Sequence, residues 1–284
     1  MNYRHAFHAG NFADVIKHTI LSRIVGHLLN KESPFRVIDT HAGSGLYDLT
    51  GPEAVRSPEW RAGIGSLLDA TIDPAAQDLL RHYLDAVRSA NPEGKIVCYP
   101  GSPALVRAWL RRSDRLVACE LEPSAAKALS YNFRGDRRVK AITIDGWTAL
   151  SAYIPPKERR GLVLIDPPFE QADEFTRLAT ALQAALKKWP SGIFFAWYPI
   201  KEERDNAAFT RDLKKRGITN MLRTELVVST ASSSDGRLRG GGHLILNPPW
   251  TLEQDLKILL PALAQIFAPG VKDAVRLDWI APKT

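Results

Sequence analysis

Four consecutive residues, Asp166-Pro-Pro-Phe169, close a short apolar run at 162–165. A carboxylate, two ring-locked residues and an aromatic suit one task, holding a flat and weakly nucleophilic group in line for attack. An exocyclic amine on a heteroaromatic ring is such a group, because its lone pair is drawn into the ring. The Asp166 carboxylate and the Pro167 carbonyl can accept its two N–H bonds, which leaves more electron density on nitrogen. Phe169 can stack on the ring face, worth about 1–3 kcal/mol per base in nucleic-acid sites. The plainer alternative is a strand that ends in a proline-rich turn with a capping Asp. The context decides between them.

Those residues need a rigid mount. The run Leu162, Val163, Leu164 and Ile165 reads as a strand buried on both faces, and prolines stop its ladder. Earlier strands are expected at 35–38, 116–119 and 139–144. The first ends in Asp39-Thr-His-Ala-Gly43-Ser-Gly45, a turn that lets backbone approach a ligand. The second ends at Glu120, in the position that commonly takes ribose hydroxyls. Glu122 lies two residues further and is the weaker choice. The third ends in Asp145-Gly146-Trp147. Asp145 can receive an adenine amino group there, or simply belong to an Asp-Gly turn. Ser102 sits in Tyr99-Pro-Gly-Ser-Pro103, where a helix N-cap is the structural expectation.

The remaining pattern alternates. Helices are expected over 12–30, 102–112, 173–188, 202–216 and 252–267, and strands over 192–199, 221–229 and 242–246. Asn11 is the expected N-cap of the first helix. A polar loop over 230–240 joins the last two strands and makes the final one antiparallel. This is an α/β, Rossmann-like, doubly wound and mostly parallel seven-stranded sheet. The segment 48–95 carries two helical patterns where one crossover helix would suffice, so it reads as a helical insertion subdomain. The main domain is then 1–47 and 96–284. The insertion holds Lys95 and four Arg against eight Asp and Glu, and is not by composition a phosphate clamp.

A second tetrapeptide, Asn247-Pro-Pro-Trp250, matches the same acid-or-amide pattern. Ligands of open α/β sheets bind beyond the carboxyl ends of the parallel strands. An antiparallel final strand sends Asn247 to the opposite edge, so Asp166 is the expected functional copy.

Bulk properties set limits. The 284 residues are 45% hydrophobic, enough for a substantial core. A net charge of +7 suits a polyanionic partner, although a solvated basic surface is the commoner cause. Cys98 and Cys119 each lie in an apolar run, which fits buried thiols in a reducing compartment. The start lacks the apolar core of a secretory signal, and no apolar run spans a bilayer. A cytoplasmic monomer is expected, since no heptad or long apolar edge appears. Histidines 5, 8 and 18 lack Cys or carboxylates at ligand spacing, so no metal is expected. The clusters Arg134, Arg137, Arg138, Lys140 and Arg211, Lys214, Lys215, Arg216 are candidate phosphate contacts, or solvated faces.

The order Asp39, Gly43-x-Gly45, Glu120, Asp145, Asp166-Pro-Pro-Phe169 resembles class I S-adenosylmethionine-dependent methyltransferases of the adenine-N6 type. The leader Tyr3-Arg-His-x-Phe-His-Ala-Gly-Asn, then Asp14-Val-x-Lys-His18 and Asp39-Thr-His-Ala-Gly43, is similar to the ribosomal RNA large subunit methyltransferase J family. The resemblance covers essentially the whole chain. It implies methyl transfer from S-adenosylmethionine to N6 of one adenine in 23S rRNA. It further implies that His18, His41, Ser102, Glu120, Asp145 and Gly146 contact the donor, with Gly43 and Asp166 on the same side. Asp166 is the implied catalytic acceptor, helped by Pro167 and Phe169. Tyr3 touches the RNA, and Lys17, next to the donor, is a further substrate-RNA candidate. The pattern more often has Tyr where this chain has Phe169. Rival readings are a DNA adenine methyltransferase with the same chemistry, a nicotinamide dehydrogenase with no use for Asp-Pro-Pro-Phe, and a catalytically silent RNA-binding module.

Overall fold

Every residue of the strand Gly161–Ile165 is buried, so it lies in the middle of a sheet covered on both faces. In the computed structural model, residues 4–229 and 238–281 are described. In chain order they form α1 (Phe12–Leu29), β1 (Arg36–Asp39), β2 (Leu46–Asp48), α2 (Pro52–Arg56), α3 (Ser66–Asp69), α4 (Pro74–Ser89), β3 (Cys98–Pro100), α5 (Ser102–Trp109), β4 (Arg115–Glu120) and α6 (Pro123–Asn132). There follow β5 (Val139–Thr143), α7 (Gly146–Ala152), β6 (Gly161–Ile165), α8 (Glu174–Lys188), β7 (Ile193–Ile200), α9 (Glu203–Lys215), β8 (Met221–Val227), β9 (Gly240–Leu246), α10 (Leu252–Phe267) and β10 (Val275–Ala281).

The main sheet runs β10-β8-β9-β7-β6-β1-β4-β5. Strands β5, β4, β1, β6 and β7 are mutually parallel, and β9 is antiparallel to both β7 and β8. The seven expected strands are therefore present in a Rossmann-like arrangement with an antiparallel late strand. An eighth, β10, joins the edge beside β8. Its alternation of Val275, Leu277 and Trp279 is a period-two pattern that the sequence reading passed over. Two cores, one on each face, follow from near-continuous apolar strands.

The leader helix α1 starts where expected, with the Asn11 side chain accepting from Asp14 N at 3.1 Å. It is buried on almost every side, because it is wedged among β6, β9, α4, α5 and α10. That burial takes in Asp14, Lys17 and His18. Residues 48–95 hold α2, α3 and α4, with a wide π turn at Arg61–Gly65 in place of the continuous helix expected near Trp60. Gly63 in that turn lies against the leader. A Cβ there would stand 2.0 Å from the Gly10 carbonyl oxygen.

Candidate active site

The carboxyl ends of β1, β4 and β6 deliver Asp39, Glu120 and Asp166 to one edge of the sheet. A cavity of about 750 Å³ opens there. Its wall includes His18, His41, Gly43, Ser102, Glu120, Asp166, Pro167 and Phe169. The size lies within the range of small-molecule sites. The Asp166 side chain is 18% exposed and faces this space, across from the glycine turn.

Each wall is built by backbone demands. Gly43 has φ +59, and a Cβ would meet the Tyr47 hydroxyl at 2.0 Å, so only glycine fits the turn. The Gly43 N–H donates to Glu120 Oε2 at 2.8 Å. The other oxygen, Oε1, accepts from the N–H groups of Leu121 and Glu122, both at 2.7 Å. Glu120 is thus held as an oriented carboxylate at the end of β4, while Glu122 caps α6 through Ser124 and Ala125. Ser102 does not cap its helix, since Gly101 occupies that position. Its hydroxyl donates to Asp39 Oδ2 at 2.6 Å instead. Burial pushes the Asp39 carboxyl up to about 7, against the pull of that bond.

Two histidines in the wall are neutral. Burial pushes His18 down to about 3 and His41 down to about 4. The Thr40 hydroxyl donates to the Leu164 carbonyl, so it accepts from His41 Nδ1–H at 2.8 Å and leaves Nε2 as an acceptor. His18 Nδ1 meets the Tyr99 hydroxyl at 2.7 Å, and Tyr99 meets Tyr83 at 3.0 Å. His18 Nε2 is buried with no protein partner.

Lys17 departs from the expected RNA contact. It is 4% exposed, and its ammonium donates to Asp14 Oδ1 at 2.7 Å and to Asp166 Oδ2 at 2.5 Å. A cation drawn between two carboxylates is not presented to phosphates. Burial works to lower the Lys17 ammonium, but the two acids overcome it and raise it above its usual value. Burial likewise works to raise Asp14, but His5 and Lys17 hold it well below the carboxylate range. Asp14 also accepts from His5 at 3.0 Å and from Gly10 N at 2.9 Å. Phe169 is held at φ +49, unusual for a bulky residue, with Phe175 and Trp197 rings at 5.0 and 5.7 Å.

With this geometry in view, relatives are informative. The family model described as Ribosomal RNA large subunit methyltransferase D, RlmJ, matches residues 32–281. The chain is 37% identical to Ribosomal RNA large subunit methyltransferase J of Escherichia coli (strain K12) over 283 residues, covering 100% of both chains. The protein of the same name from Haemophilus influenzae is 37% identical over 284 residues, again covering 100% of both. The chain belongs to the ribosomal RNA large subunit methyltransferase J family. A solved structure, protein LPL1258 from Legionella pneumophila str. Philadelphia 1, superposes with a TM-score of 0.87 at 32% identity, covering 96% of this chain and 98% of that one. The family expected from the leader and the Asp-Pro-Pro-Phe corner is the one found.

Within that methyltransferase family frame, two expected donor contacts stand apart. Asp145 Oδ1 caps α7, accepting from Thr148 N at 2.9 Å, and Arg177 lies 3.8 Å from Oδ2. Neither Asp145 nor Gly146 lines the cavity; Gly146 backs onto Thr40 and His41 from behind. Tyr3 and most of the 230–240 loop lie outside the described residues. Asn247 behaves as expected of the decoy. It stands at the far edge, where its amide donates to the Pro190 and Gly192 carbonyls at 2.8 Å each. Glu59 and Trp197 also line the cavity and were not singled out, and Asp14 and His5, noted in the leader, were not expected as site residues. The i,i+3 spacing of Asp14 and Lys17 on one helix face was the available signal. Among the described residues, no group of three His, Cys, Asp or Glu could hold a metal, and no helix is long and apolar enough to cross a membrane.

Proposed function

We propose that this family member transfers the methyl group of S-adenosylmethionine to N6 of an adenine in 23S rRNA. One observation carries the reading: Asp166 lines the same cavity as Gly43, Glu120, His41 and Ser102. These residues fit the donor. Glu120 suits ribose hydroxyls, and Gly43 permits close backbone approach. When bound, the donor supplies an electrophilic methyl on a sulfonium, and the chain's residues do the positioning.

Asp166 and the Pro167 carbonyl receive the two N–H bonds of the target amine and set its lone pair in line. Phe169 stacks on the base, held by Phe175 and Trp197. Lys17 keeps Asp166 oriented from behind. Positioning and exclusion of water supply the acceleration. Asp166 need not be strongly basic, because the amine proton becomes acidic only after methylation. The adenine must leave its stack to enter. Asp166→Ala should bind the donor with unchanged affinity by calorimetry and transfer no methyl; turnover at the wild-type rate would remove Asp166 from the chemistry. Mass-spectrometric mapping of N6-methyladenine in 23S rRNA, with and without this protein, tests the substrate. A DNA oligonucleotide methylated in preference to rRNA would favour the DNA reading.

We also infer that residues 48–95 act as an insertion subdomain on the methyltransferase domain, and that the protein works as a monomer in the cytoplasm. Light scattering at micromolar concentration should give a single-chain mass.

A further inference from the structure

RNA that delivers an unpaired adenine must lie against the cavity's rim, yet the obvious basic clusters are in the wrong place. Arg137 and Arg138 directly precede β5, and Lys214, Lys215 and Arg216 lie at the end of α9, just before β8. Both are at the edge opposite the carboxyl ends that carry Asp39, Glu120 and Asp166. Arg138 is moreover clasped by Asp136 at 2.7 Å, and Arg216 by Asp212 at 2.9 Å.

The rim itself is built by the leader and the insertion. Arg4 lines the cavity and reaches Glu53 at 2.9 Å. Phe7 lies between two guanidinium groups, those of Arg4 and Arg56, each 5.8 Å from its ring centre. Arg61 lies 5.3 Å from the Trp60 ring centre, beside Ala62 of the cavity wall. Arg56 and Arg61 are exposed. Among the described residues, neither meets a carboxylate. The other two arginines of the insertion do: Arg81 pairs with Asp78, and Arg88 with Asp85 at 3.1 Å. Glu59, the nearest acid in sequence to Arg61, is engaged instead by His8 at 2.9 Å and Asn11 at 3.0 Å.

A guanidinium stacked on an aromatic face keeps its N–H edge free for bidentate contact with phosphate. Charged groups interleaved with aromatic rings are the surface that single strands use. We propose that Arg56 and Arg61, mounted on Phe7 and Trp60 at the cavity's lip, hold phosphates of the single-stranded RNA flanking the target adenine. This rests on the rRNA reading above, and it assigns a binding role to an insertion whose overall composition is acidic.

The test compares Arg56→Gln/Arg61→Gln with Arg81→Gln/Arg88→Gln, which removes the same charge from the same segment. Binding of 23S rRNA transcribed in vitro is measured from 50 to 200 mM salt, alongside methylation and donor affinity. The rim variant should weaken RNA binding about tenfold and reduce the salt slope by roughly 1.4, or about 0.7 per phosphate. Donor affinity should be unchanged, and the Arg81/Arg88 variant should match wild type. Wild-type affinity and slope in the rim variant would overturn the proposal, as would an equal loss in the Arg81/Arg88 variant, which would mark a bulk charge effect. A wild-type protein that leaves rRNA unmethylated would overturn the rRNA reading as well, so the two failures are distinct.

Discussion

Lys17 is the residue on which the site's electrostatics turn. Its ammonium bridges Asp14, which is buried, and Asp166, which faces the cavity. Removing one partner of a buried pair leaves an uncompensated charge, at a cost of about 3–5 kcal/mol. Lys17→Met should therefore lower unfolding free energy by that order in urea titration. Adding Asp14→Leu should recover only part of the loss, because Asp166 stays without its cation and the Gly10 N–H and His5 lose their acceptor. A single variant as stable as wild type would show that the bridge carries no weight. This residue also marks the limit of sequence reading at the finest scale. That Asp166, Pro167, Phe169, Gly43 and Glu120 would share one cavity wall was legible because strand ends and turn glycines announce themselves. Lys17 entered through the family resemblance, and its spacing shows the Asp14 partner but not the second acid, Asp166, which is 149 residues away in the chain. Asp145 stayed ambiguous for a related reason: an Asp before Gly reads alike as ligand or cap, and here the cap takes one oxygen.

At the scale of elements, the leader and the insertion meet through Gly63. A Cβ there would collide with the Gly10 carbonyl at 2.0 Å and Asn11 at 2.6 Å. Gly63→Ala should push the π turn off the leader, costing about 1–3 kcal/mol. Hydrogen exchange should show amides 8–14 losing protection while the β6 and β7 amides keep theirs. Equal protection in both regions would mean that the contact is dispensable. The longer helices were visible by their periodicity and the seven expected strands as apolar runs closed by turn residues, whereas the short α7 was not expected. The pair β2 and β3 was not, since three-residue strands carry too few positions to show a period. The π turn was hidden for another reason: Gly63 is where it is because of the backbone it abuts, a tertiary cause with no local trace.

At the scale of the whole molecule, folding traps three neutral histidines. Burial pushes His18 and His243 down to about 3, and His41 down to about 4, from an ordinary 6.5. A depressed histidine pKa means that the unfolded chain binds a proton the native state refuses. Each contribution is complete above pH 6.5 and declines as pH falls below it. Asp39 has the opposite sign. Its native carboxyl, raised from 3.8 to about 7, gains a proton that the unfolded chain lacks between those values. Near pH 5 the balance is two protons taken up on unfolding, or roughly 3 kcal/mol of stability lost per pH unit. Urea titrations at pH 7, 6 and 5 should show this fall. A stability that is flat or increasing towards pH 5 would contradict it.

Because β9 runs against its neighbours, the look-alike Asn247-Pro-Pro-Trp250 sits some distance behind the catalytic face, with its amide tied into the Pro190–Gly192 bend. Converting Asn247 to the acid would thus reproduce the spelling of the working corner without its address. Polarity of one hairpin, and not vocabulary, decides which of the two copies stands at the cavity.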